Sequence, residues 1–111
     1  MRTALLALLV IAGCQDAAVS RQLGARCDTS RQCDDRCLPP DTSYPGGFCT
    51  LVCNTSDECP TGAACADREG GVCLFGCVDD TDCTFLGTGW TCKDTDEHGV
   101  ADKKVKLCRG D

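Results

Sequence analysis

Thirteen cysteines are the most reactive side chains in this 111-residue chain. A thiol can form a disulfide, ligate a metal, shuttle electrons or accept a lipid, and spacing discriminates among these chemistries. Cys14 stands alone. The other twelve fall into three sets: Cys27, Cys33, Cys37 and Cys49; Cys53, Cys59, Cys65 and Cys73; Cys77, Cys83, Cys92 and Cys108. Every set opens with C-x5-C, and consecutive sets are joined by three residues. Inside the sets the gaps vary, with 3, 5 and 8 residues between second and third cysteines and 11, 7 and 15 between third and fourth. Fixed junctions with variable interiors are the mark of a tandem repeat whose loops carry the differences.

Structural zinc sites draw ligands in tight C-x2-C pairs, and redox cysteines use the same spacing. This chain has no C-x2-C pair and one histidine, His98. No metal ligand and no cofactor is therefore expected. Asp94, Asp96, Gly99 and Asp102 occupy positions one, three, six and nine of an EF-hand-like loop. His98 stands at the fifth place, and Val105 at the twelfth where a bidentate glutamate is needed. The expected state of that segment is a polar surface loop. His98 has no nucleophile motif beside it, and locked disulfides cannot attack, so no catalytic residue is expected and the chain is read as no enzyme. Arg109, Gly110 and Asp111 form an integrin-type tripeptide at the chain end, and Asn54, Thr55 and Ser56 form a glycosylation sequon. Both are read as chance.

The elements that position the cysteines follow from their neighbours. In each opening segment a capping side chain (Thr29, Thr55, Asp79) precedes Gln32, Glu58 or Asp82 by three residues. That spacing predicts a single helical turn bringing in the second cysteine. Apolar Phe48, Val72 and Leu107 immediately precede the fourth cysteines, and Gly46-Gly47 and Gly70-Gly71 stand just before the first two of them. A hairpin between third and fourth cysteines is expected in each unit. The fold class is thus small and disulfide-rich: three tandem four-cysteine units with short hairpins, single helical turns and little other regular structure. Phe48, Leu51, Val52, Val72, Leu74, Phe75, Phe85, Leu86, Trp90 and Leu107 are expected to form small clusters against the sulfurs. Bridges within a unit permit three pairings. First with third and second with fourth is preferred, with the other two open. Each bridge is worth about 2 to 4 kcal/mol in the loop-entropy model, which a chain with three Phe, one Trp and one Tyr needs.

Disulfide density places the protein in an oxidising compartment. Arg2, the apolar stretch 4–12 and Gly13 have export-signal architecture, and the stretch is too short to span a bilayer. Ile11, Ala12, Gly13 and Cys14 resemble the lipobox of bacterial lipoproteins. The resemblance implies cleavage before Cys14, a diacylglyceryl group on its sulfur, and acylation of the new amino terminus with palmitate-like chains. Two or three chains anchor a protein stably. An odd cysteine count agrees, because lipidation of Cys14 leaves an even dozen. Gln15 rather than Asp after the modified cysteine implies the outer membrane, by analogy with enterobacterial lipoproteins.

The organisation read from the sequence is a leader (1–13), a lipidated flexible tether (14–26), unit one (27–50), unit two (51–74) and unit three (75–111). The repeated C-x5-C, the residues before the second cysteine and the glycine turn resemble cysteine-rich lipoproteins of myxobacteria and related groups. They are also similar to Dickkopf-type modules of animals. Neither resemblance carries an activity to this chain. Net charge is −6 and basic runs are absent, so nucleic acid is not an expected partner. The expected function is a membrane-anchored, non-enzymatic structural or binding module that displays loops 38–47 and 93–106 to a protein or envelope ligand. The alternative is a secreted effector such as a protease inhibitor or toxin-like ligand.

Overall fold

A computed structural model describes residues 19–111. The leader and Cys14 lie outside the described residues. Six short strands form three antiparallel hairpins: β1 (Arg36–Leu38) with β2 (Phe48–Thr50), β3 (Ala63–Ala66) with β4 (Val72–Phe75), and β5 (Thr91–Asp96) with β6 (Lys104–Arg109). A 3-10 turn precedes each hairpin, at Ser30–Gln32, Ser56–Glu58 and Asp80–Leu86. The protein is a small disulfide-rich fold of three repeated units.

The helical turns form for the reason their spacing implies. Gln32 Oε1 accepts the N–H groups of Asp28 and Thr29 at 2.6 and 3.1 Å. Asp82 Oδ2 does the same for Val78 and Asp79 at 2.8 and 3.1 Å, and Glu58 Oε1 accepts from Asn54 at 2.7 Å. These otherwise unpaired N–H groups are satisfied by side chains at each turn's start. Cys33 and Cys59 sit at the ends of their turns, while Cys83 lies inside the longer third one.

Each hairpin places its third and fourth cysteines directly opposite: Cys37 with Cys49, Cys65 with Cys73, Cys92 with Cys108. They do not bridge each other. The bonds run Cys27–Cys37, Cys33–Cys49, Cys53–Cys65, Cys59–Cys73, Cys77–Cys92 and Cys83–Cys108, with Cα separations of 5.3 to 6.0 Å. First pairs with third and second with fourth in every unit, so both hairpin strands are tied to the segment that precedes them.

One expectation fails at the amino-terminal end. Residues 20–26, read from sequence as part of a flexible tether, are built into unit one. Gly24 N–H donates to the Cys49 carbonyl and Cys49 N–H to the Ala25 carbonyl, both at 2.8 Å, and Leu23 is buried. The same device recurs where Cys73 N–H donates to Leu51 and Cys53 N–H to Gly71, both at 3.0 Å, and where Cys77 N–H donates to Lys106 at 3.1 Å. Every fourth-cysteine strand therefore needs a lead-in segment along its outer edge. Residues 24–26 supply it for unit one, and the junctions supply it for the other two.

The apolar residues do not divide into separate small clusters either. One core runs through all three units, containing Leu23, Leu38, Tyr44, Phe48, Val72, Leu74, Phe75, Leu86, Trp90 and Leu107. Phe48 lies 5.2 Å from Trp90 and 5.9 Å from Phe75, ring centre to ring centre. Among the described residues, the four cysteines of unit one, with Ala25, form a second cluster apart from it. Leu51 is partly buried at the core's edge. Val52 and Phe85, expected inside, are 55% and 48% exposed: Val52 lies between inward-facing Leu51 and Cys53, and Phe85 lies on the outer side of a 3-10 turn that buries Cys83 and Leu86.

Candidate functional site

Asp94 and Asp96 of the EF-hand-like stretch, expected in a polar surface loop, lie on a strand. Asp94 and Asp96 are alternate residues of β5, opposite Lys106 and Lys104 of β6. Alternation puts all four on one exposed face. Asp94 meets Lys106 at 3.3 Å and Asp96 meets Lys104 at 2.5 Å. The Asp96 carboxylate accordingly raises the Lys104 ammonium above its ordinary pKa. The carboxylates are engaged across the hairpin, Asp102 lies in the 97–103 turn, and Gly99 packs against the Asn54 carbonyl. A ladder of alternating charges results, not a convergent cation cage.

On the same hairpin, Glu97 is buried, with 9% of its side chain exposed. Its Oε2 accepts from Ser56 Oγ at 2.6 Å, and Lys103 Nζ stands 3.2 Å from Oε1. The Ser56 hydroxyl, and after it Lys103, hold the Glu97 carboxyl below the usual range. Ser56 Oγ also accepts the Cys65 N–H at 2.9 Å. Its hydroxyl is thus committed on both sides. Beside it, His98 Nδ1 lies 2.7 Å from Asp67 Oδ1, and His98 N–H donates to the Cys65 carbonyl at 2.9 Å. This polar cluster joins the tip of the third hairpin to unit two.

The Ser56 contact is one instance of a repeated device that the spacing of cysteines alone does not reveal. Ser30 Oγ accepts the Cys37 N–H at 3.2 Å, and Asp80 Oδ1 accepts the Cys92 N–H at 2.9 Å. In each unit, the third residue after the first cysteine presents an oxygen that fixes the third cysteine's backbone. The signal was in the sequence as Ser, Ser and Asp at one repeat position.

The two loops expected to be displayed are largely tied down. In 38–47, Asp41 Oδ1 accepts the N–H groups of Ser43 and Tyr44, Tyr44 is buried, and the Pro45 carbonyl accepts the Trp90 indole N–H at 2.9 Å. Only residues 39–42 stand fully exposed. In 93–106 the exposed part is the charged ladder and the tip 99–104. The carboxy-terminal tripeptide is likewise held. Arg109 donates to Thr95 Oγ1 at 3.0 Å and to the Asp94 carbonyl at 3.2 Å, while Gly110 N–H donates to the Ser43 carbonyl at 2.7 Å. Arg68 reaches Tyr44 Oη and Ser43 Oγ at 3.3 Å each, so units one, two and three meet there.

All twelve cysteines from Cys27 to Cys108 are consumed as bridges. No protein-family model matches the chain, and no curated protein or solved structure is significantly similar to it. The likeness to bacterial lipoproteins and Dickkopf-type modules rests on cysteine spacing and a few side chains. The chain is a cysteine-rich, six-bridge protein of an extracytoplasmic kind. Among the described residues no helix is long and apolar enough to cross a membrane.

Two surface grooves lie among the described residues. One, of about 470 Å³, runs between unit two and unit three, floored by Ala63, Ala64, Val105 and Leu107, with Asp82 and Lys106 among its lining residues. The other, of about 370 Å³, lies between the lead-in segment and the third 3-10 turn, and is lined by Val19, Gly24, Arg26, Thr84, Phe85 and Gly87.

Proposed function

We propose that the protein is a membrane-anchored extracytoplasmic lipoprotein, in which three stapled units form a non-enzymatic binding or structural module. The observation that carries this reading is the account of sulfur. Six bridges use Cys27 to Cys108 in one repeated pattern, and thirteen cysteines then leave Cys14 over. Cys14 stands directly after Ile11, Ala12 and Gly13, where a lipobox would have its acceptor. An outer-membrane position is part of the proposal, on the ground of Gln15.

A binding role is supported by rigid presentation. Residues 39–42 and the 99–104 tip project from backbone that is crosslinked and packed, which lowers the ordering cost of engaging a partner. The ligand is sought among proteins and envelope components. The test compares the parent protein with Cys14→Ala by cell fractionation. The parent is expected in the membrane fraction and the variant in the soluble or culture fraction. A parent protein that is already free of lipid in the medium would replace this reading with that of a secreted effector.

A further inference from the structure

We propose that the face formed by Val19 and Phe85 rests on the phospholipid surface of the membrane, so that the anchor fixes which way the module points. The proposal deepens the lipoprotein reading and rests on it. Phe85 is 48% exposed and Val19 40%, and the two line one shallow groove. Phe85 is not loosely placed: its ring stands edge-on to buried Phe75 with centres 5.2 Å apart. The outer side of a fixed aromatic ring is therefore offered to the surroundings. Phe, like Trp and Leu, serves as an apolar contact of proteins that lie in the boundary between headgroups and acyl chains.

Arg26 gives the face a cation. A Cβ built on Gly46 or Gly87 would fall 2.3 or 2.4 Å from its guanidinium nitrogens, so the group lies over those two glycines at the groove. Among the described residues no carboxylate lies within 4.0 Å of it. A guanidinium so placed is available to phosphate oxygens.

Chain length decides which face meets the bilayer. Val19 is five residues from Cys14, a reach of at most about 18 Å even when fully extended. A compact body of this size is about 30 Å across. The lipid on Cys14 can therefore bring only the neighbourhood of Val19 to the membrane, and that neighbourhood carries the exposed ring and the Arg26 guanidinium. Residues 99–104, the exposed tip of the β5–β6 hairpin, are left for solvent or a partner.

The test uses the mature lipidated protein in phospholipid vesicles whose acyl chains carry bromine, a quencher of indole fluorescence. Phe85→Trp is compared with Val100→Trp in the 97–103 turn, after subtraction of the parent's Trp90 signal. Several-fold stronger quenching at position 85 is expected. Val19→Trp gives the same readout at a side chain outside the core, should the Phe85 variant fail to fold. Equal quenching at the two positions in protein that still floats with vesicles overturns the docking face and leaves the anchor intact. A concentration-dependent blue shift of the position-85 signal without lipid quenching also overturns it, in favour of a second copy of the chain. Protein that does not float with vesicles overturns the anchor itself, and the docking face with it.

Discussion

The indole N–H of Trp90 donates to the carbonyl of Pro45 at 2.9 Å, across 45 residues of sequence and from the third unit to the first. Both residues belong to segments that a unit-by-unit description would separate. Trp90 also packs against Phe48 and faces Tyr44 with ring centres 6.5 Å apart. The three units are thus crosslinked separately and packed together.

Trp90→Ala should then cost about 3 to 5 kcal/mol, the range for deleting a large buried aromatic side chain. The loss should be felt by the whole molecule. Thermal unfolding followed by near-ultraviolet signal and by hydrogen exchange should show one cooperative transition moved to lower temperature. Selective loosening of unit three would show that the shared core contributes little.

Glycine positions separate two costs. A Cβ on Gly47 would lie 1.8 Å from the Cys27 carbonyl oxygen, and one on Gly71 2.3 Å from that of Cys53, at positive φ in both cases. Gly70 also has positive φ but nothing within 4 Å. Gly70→Ala should cost about 1 to 2 kcal/mol from backbone strain alone. Gly47→Ala and Gly71→Ala should lower the yield of correctly bridged protein far more, as measured by reversed-phase separation of oxidised material.

Ser56→Ala removes the acceptor for Cys65 N–H and the donor to Glu97 at once. Leaving such buried groups unmatched costs about 1 to 3 kcal/mol. The equivalent Ser30 makes a longer contact, at 3.2 Å, and is exposed. Ser30→Ala should therefore cost less, and chemical denaturation of the two variants side by side checks the order.

Titration should narrow the stable range from both ends. Backbone N–H groups of Val78 and Asp79 hold Asp82 below its ordinary value, and Ser56 with Lys103 does so for Glu97. A depressed carboxylate stabilises the fold above its unfolded value and ceases to as pH falls through the folded one. The melting temperature should accordingly drop below about pH 4. Glu97→Gln should remove part of that drop. At the alkaline end, burial raises Tyr44 above 10.0, partly offset by Arg68. Its contribution is present below the ordinary phenol value and is lost as pH rises through the folded one. Tyr44 is the single tyrosine, so phenolate absorbance reports it directly and should rise together with unfolding.

Much of the frame was legible because cysteines and capping residues act locally. The register of Cys27 to Cys108, the boxes at Thr29–Gln32 and Asp79–Asp82, and the hairpins all depend on residues close in sequence. The contact of Trp90 with Pro45 has no such signature, because nothing in either segment marks its partner. Residues 20–26 concealed their role for a related reason: a lead-in strand that bonds through backbone needs no apolar alternation. The strand at Asp94 and Asp96 stood behind an expected polar loop, because charged residues at a spacing of two suit a solvent-facing strand as well. The repeated oxygen at Ser30, Ser56 and Asp80 was available to inspection, since it recurs at one position after each first cysteine.

The most direct measurement is peptide mapping of the unreduced mature protein by mass, with titration of free thiols. The account predicts six bridges, each joining first to third or second to fourth cysteine within a unit, no titratable thiol, and an amino-terminal peptide beginning at an acylated Cys14. Bridges that cross between units, several free thiols, or Cys14 joined to another cysteine would contradict it.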